Sequence, residues 1–371
     1  PAIYPTKRIT AMSHAAGLHG VYIHIPFCAK RCDYCAFATF TDRHHLQSQY
    51  VEVLRTHVTR VVAGGMPRAT SVFVGGGTPT MLPADELLSV ISLVPLAPNA
   101  EVTVECNPDD ITLDMMQSYR NGGVNRVSVG VQSTVDHVLK SLGRTHNPEN
   151  VQRAVAHIKQ AGFTTFNLDI MYGAAGETFA DWKHTVADVI ALDPPHVSAY
   201  GLTIEANTPL ATQPERHPDD DDQADKYEWV DDHFAQAGLV NYEISNWAKP
   251  GHECKHNYLY WLQGNYDGIG CAAHAHKDGT RWWNVRTPDR YIEMIEAGEQ
   301  PISSSETLDD ATRSLEELQL LIRTREGVPT AAFSPDDRSL LEGLIELHED
   351  RYVLTRAGRL MANEVSMRLH S

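Results

Sequence analysis

Three thiols fall within eight residues, at Cys28, Cys32 and Cys35, directly after the strand-like run Tyr22-Ile23-His24-Ile25 and the break at Pro26. Spacings of four and then three let a short loop aim all three sulfurs at one centre. Thiolates at this density select zinc or an iron–sulfur cluster. A structural zinc takes four closed ligands, usually as two knuckles, and no second Cys-x-x-Cys occurs in the chain. A four-iron cluster held by three cysteines keeps one iron open to an outside ligand. A zinc site completed by a distant histidine, and plain unliganded cysteines, are the alternatives.

Further residues with chemical potential lie downstream. Gly75-Gly76-Gly77-Thr78-Pro79-Thr80 reads as a tight strand-to-helix turn, or as backbone left bare for the approach of a small zwitterion. Glu105 ends an apolar strand, where a buried carboxylate needs a donor or a cation. His256-Asn257-x-x-Tyr260-Trp261 places an imidazole among aromatics, an arrangement more often packed core than ligand. His252, His274 and His276 lie close by in sequence, and His19 and the other histidines scattered on polar faces read as ordinary surface residues.

Cys-x-x-x-Cys-x-x-Cys after Tyr-Ile-His-Ile-Pro-Phe resembles the radical S-adenosylmethionine superfamily, in the branch that contains oxygen-independent coproporphyrinogen oxidase and a related haem chaperone. The resemblance runs from about Tyr22 to the C-terminus. It implies a [4Fe–4S] cluster on Cys28, Cys32 and Cys35 whose open iron binds S-adenosylmethionine, and reductive cleavage of that cofactor to a deoxyadenosyl radical. It assigns Gly76, Gly77 and Thr78 to the methionyl amino group and Glu105 to the ribose or methionyl part. It gives further cofactor contacts to Gln132, Arg144 and Asp169, and turns Tyr22 toward the reacting pocket. A structural ion pair is the alternative role for Arg144 and Asp169. His-Asn-x-x-Tyr-Trp resembles the chaperone's haem motif, which implies His256 as axial ligand, with His252, His274 and His276 as competitors and Asn257, Tyr260 and Trp261 around it. Phe37 stands where the oxidase has a fourth clustered cysteine, and only nineteen residues precede the cluster strand; both point to haem transfer rather than decarboxylation. The expected partners are haem and acceptor haemoproteins. A homodimer and a peripheral membrane association are compatible with the resemblance. The competing expectation is a radical enzyme, either a coproporphyrinogen III oxidase or a class C methylase.

The elements that must position these residues are legible as alternating β-branched runs and amphipathic segments. Strands are expected at 20–25, 71–74, 101–105, 126–131, 165–170 and 196–200, with helices at 46–62, 85–93, 113–121, 151–161 and 179–192. Such alternation predicts βαβ units with a parallel sheet, and six units predict a partial (β/α)6 barrel. The polar and glycine-rich oddities fall where strands end, as working residues do in β/α barrels. Asp219–Asp222 reads as a solvated loop leading into a helix at 223–237, its acidity suited to the dipole of that helix's N-terminus. Helices are also expected at 311–322 and 339–347, then a strand at 352–354 and a last helix. The expected division is a mobile lead-in over 1–19, the barrel over 20–205, a barrel-closing region over 206–305 and a small winged-helix-like tail over 306–371.

Composition sets outer limits. With 42% hydrophobic and 21% charged residues the chain has enough apolar material for a substantial core. A net charge of −17 argues against a nucleic-acid partner held through phosphates. Six cysteines, three of them clustered, do not form a disulfide framework and fit a reducing cytoplasm. No apolar stretch is long enough to span a membrane.

Overall fold

The structure, a computed structural model, describes residues 17–370; the expected lead-in lies outside the described residues except for its last three. Six strands form its centre: β1 (His19–Ile25), β2 (Ala69–Gly76), β3 (Leu96–Cys106), β4 (Arg126–Gln132), β5 (Thr165–Tyr172) and β6 (His196–Gly201). They lie side by side in chain order, each parallel to the next. Their Val- and Ile-rich sequences are buried on both faces, as parallel strands under crossover helices must be. Helices Gln47–Ala63, Ala84–Ile91, Leu113–Asn121, Pro148–Gln160 and Phe179–Ala191 make the crossovers. Thr112, Asn147 and Thr178 cap three of them by accepting a first-turn N–H, a contribution of about 1 kcal/mol each.

The six strands do not close on themselves. Past β6 the sheet continues through antiparallel β7 (Val240–Glu243) and β8 (Asn246–Ala248), with β8 next to β6. On the other side β9 (Asn265–Ile269) runs parallel to β1, followed by antiparallel β10 (His274–Lys277), β11 (Thr280–Asn284) and β12 (Ile302–Thr307). β1 therefore has a partner on each flank. The fold is an open (β/α)6 sheet with additions at both ends.

Three details depart from the sequence reading. Asp219–Asp222 is not a loop: Asp219 caps the helix Asp220–Gln236 and the next three aspartates form its first turn, where the helix dipole favours negative charge. Asp222 also reaches the fully buried Lys226 at 2.6 Å, beside the 2.9 Å pair of Lys226 with Glu177. The helix expected at 339–347 is instead Pro335–Leu340. Gly343 then takes a positive φ of 84°, and Ile345–His348 becomes β14, a hairpin strand against β15 (Arg351–Leu354). His19 is buried and pairs with Asp267 at 2.9 Å, tying β1 to β9. The C-terminal segment carries a separate sheet, β13 (Val328–Pro329) with β15 and β14, over its own apolar cluster of Leu321, Ile322, Val328, Phe333, Leu341 and Val365.

Candidate functional site

The cysteine loop starts where β1 ends. Cys28 N–H donates to the Phe40 carbonyl (3.2 Å) and Phe40 N–H to the Pro26 carbonyl (2.7 Å), which pins the base of the loop. All three thiols are free and half-buried. Thr78 Oγ1 donates to Cys28 Sγ at 3.5 Å, and Arg144 Nη1 lies 3.6 Å from Cys32 Sγ. Among the described residues no three His, Cys, Asp or Glu side chains are gathered tightly enough for a single metal ion, this trio included. A cluster takes its cysteines at different irons and so needs them spread.

The glycine turn docks beneath this loop. Gly77 N–H donates to the Ile25 carbonyl (2.7 Å) and Thr78 N–H to the Phe27 carbonyl (2.8 Å). A Cβ on Gly77 would stand 2.6 Å from Phe27 O, 2.8 Å from Ile25 O and 3.1 Å from Cys28 Sγ. Gly76 has φ 109°, and a Cβ there would meet the His24 ring at 2.4 Å. Cys28, Cys32, Cys35, Gly76, Gly77 and Thr78 line a cavity of about 530 Å³, and Glu105, Gln132, Arg144 and Asp169 line it too.

The two carboxylates there differ in how they are satisfied. Glu105 accepts one hydrogen bond, from Gly76 N–H at 3.1 Å; burial, with Asp169 next, pushes its pKa up to about 7. Asp169 accepts from Ser128 Oγ (2.9 Å) and Asn167 Nδ2 (2.7 Å), which oppose the upward push of burial. Arg144 donates to the Gly130 carbonyl at 2.9 Å, and neither it nor Asp169 is in an ion pair among the described residues. Gln132 holds a left-handed φ of 60° at the end of β4, a strained conformation for a side-chain-bearing residue. Sparse donors on Glu105, a guanidinium and bare glycine backbone suit the ammonium and carboxylate of an amino-acid-bearing cofactor.

A second chamber of about 670 Å³ opens beside the first, and Phe37, Gly76, Glu105, Ser128, Asp169 and Tyr200 line both. Phe37 is 63% exposed at this seam. Tyr22 lines the chamber with its hydroxyl 3.0 Å from His24 Nδ1. Phe73 stacks against Tyr22 on one side and His256 on the other. His256 is the second residue of the helix Lys255–Trp261, whose first N–H groups donate to the Glu101 carboxylate at 3.1 Å. Its ring is packed on every side: Nδ1 meets Ser71 Oγ at 2.9 Å, Nε2 meets Tyr260 Oη at 2.8 Å, and burial lowers its pKa to about 3. This is the geometry of a hydrogen-bonded core histidine. Asn257 and Tyr260 line the chamber; Trp261 does not, and His252 is bonded to Thr165 away from both cavities.

Arg126 escaped the sequence reading. It projects from β4 into the chamber, is 2% exposed, and its Nε has no hydrogen-bond partner. No ion pair among the described residues engages its guanidinium. The available signal was a basic residue opening the otherwise buried strand Arg-Val-Ser-Val-Gly-Val.

Residues 22–189 match the model of the radical SAM superfamily. The heme chaperone HemW of Mycobacterium tuberculosis (strain H37Rv) is 38% identical over 363 residues, covering 93% of each chain. HemW of Escherichia coli (strain K12) is 34% identical over 93% of this chain and 96% of its own, and that of Bacillus subtilis (strain 168) 33% over 94% and 98%. The solved structure of the E. coli coproporphyrinogen III oxidase HemN, a radical SAM enzyme, superposes with a TM-score of 0.81 over 94% of this chain and 89% of its own, at 22% identity, a likeness of fold. The chain belongs to the HemW family of the radical SAM superfamily.

Proposed function

We propose that this protein binds haem in the chamber beside its cysteine loop and passes it to acceptor haemoproteins. Cys28, Cys32 and Cys35 would hold a [4Fe–4S] cluster, with Gly76, Gly77, Thr78, Glu105, Gln132, Arg144 and Asp169 around S-adenosylmethionine. When bound and reduced, that pair supplies a carbon-centred radical. The observation that carries the haem reading is the chamber itself. Aromatic rings of Tyr22, Phe73, Tyr260 and Tyr266 suit a flat macrocycle, and the buried, unpaired Arg126 suits one of its carboxylates. Names of the relatives add weight in the same direction.

A second reading, oxidation of a porphyrinogen, is favoured by the shared lining of the two cavities, which lets a molecule in the chamber face the cofactor. One experiment separates the two. Anaerobically reconstituted protein should bind ferric haem stoichiometrically and leave coproporphyrinogen III intact, and the triple Cys→Ala variant should lose iron and sulfide. Steady formation of protoporphyrinogen would favour the enzyme.

A further inference from the structure

Four histidines line the chamber: His24, His256, His274 and His276. An axial ligand needs a ring nitrogen with a free lone pair facing the iron. Three of the four have none to offer. His24 is held by Tyr22 Oη (3.0 Å) and the Ala38 carbonyl (2.9 Å). His256 is held by Ser71 and Tyr260, as described. His276 Nδ1 meets the Gly264 carbonyl at 2.9 Å, and its Nε2 accepts from Gly279 N–H at 3.1 Å.

We infer that His274 is the haem iron ligand of this chain, and that His256 belongs to the chamber wall. His274 stands on β10 as the exposed one of these four histidines, and its ring stacks on the cross-strand partner Trp283 with centroids 5.7 Å apart and planes at 25°. That contact orients the ring and leaves both nitrogens free, since no hydrogen bond or ion pair among the described residues engages them. Partial burial and the nearby Arg281 favour the neutral imidazole, the form that ligates. Arg281 itself is committed to Glu306 and Glu316, which leaves Arg126 as the buried cation for a carboxylate of the same ligand. An iron held by an exposed residue rather than by one in the wall is also reachable by an acceptor.

This inference rests on the haem reading above, and its test distinguishes the two. Ferric haem and iron-free protoporphyrin IX are titrated into the full chain and into H274A, with the Soret band and the low-spin electron paramagnetic resonance signal recorded. Haem affinity in H274A should fall by roughly tenfold or more, at least what losing a mere outer-shell partner costs. The imidazole-type spectrum should vanish and return on adding free imidazole, and protoporphyrin IX should bind as in the wild type. An unchanged haem spectrum in H274A overturns the ligand assignment and leaves the haem reading standing. Failure of the wild-type chain to bind haem overturns both.

Discussion

The thiol cavity and the chamber beside it share a wall but are built by opposite means. Around the thiols, function comes from loops and bare backbone: cysteines on a loop pinned at Phe40, glycines strapped beneath it by Gly77 and Thr78 N–H groups, and a carboxylate with a single donor. In the chamber it comes from side chains on strands and one helix, many with their hydrogen bonds already made, and Arg126 and His274 are among those left unsatisfied. The first cavity is shaped by what is missing from the chain and the second by what is left over after packing.

That contrast can be broken at definite places. The largest effect is expected from Gly77→Ala. The added methyl would collide with two backbone carbonyls that cannot yield without moving the loop. Iron bound per chain after reconstitution should drop to near zero, while haem binding in the chamber persists; normal iron content would show that the turn is not a docking surface. A smaller effect is expected from Arg126→Met. Losing one charged hydrogen bond to a carboxylate should weaken protoporphyrin IX binding by about 1.5–3 kcal/mol. Stability of the ligand-free chain should change little, because Glu101 and Asp169 near the guanidinium already offset its burial. Unchanged affinity in an isothermal titration would remove Arg126 from the site.

A pH-dependent effect concerns Glu105. Its folded pKa is about 7 against an ordinary 4.5. Below pH 4.5 both folded and unfolded chains hold the proton, and the residue does not bias folding. Between about 4.5 and 7 the folded chain keeps a proton that the unfolded chain has released, so stability falls as pH rises through that window. Glu105→Gln should therefore melt at a similar temperature near pH 4 and above the wild type at pH 8, in metal-free protein. Parallel melting curves across that range would mean that another donor already satisfies the carboxylate.

How far the sequence announced all this follows the same divide. The cysteine loop and the glycine turn are local strings, and the six strands and five crossover helices are periodic patterns; both are readable because their physics acts over a few neighbours. Their ends shifted by a few residues, as with β3, which begins at Leu96 rather than 101. The aspartate run misled about where the helix begins, because four like charges look like a solvated lead-in until the contact with Lys226 is supplied from outside the run. The histidines of the chamber were harder still. Whether an imidazole nitrogen is free depends partly on a near neighbour, as Tyr260 is to His256, and partly on residues such as Ser71 that no local pattern brings to that ring. Only the assembled fold shows that His256 is satisfied and His274 is not.

The position of β1 between β2 and β9 bears on how the protein can be dissected. The segment that carries the superfamily match stops at residue 189, well before β9. Cut out alone, it would turn the Val- and Ile-rich strand that launches the cysteine loop into a bare edge, with backbone donors and acceptors open to any passing strand. The cofactor-binding half is thus not a portable module: the hairpin region that walls the chamber is also the cap that keeps the cluster strand from sticking to its own copies.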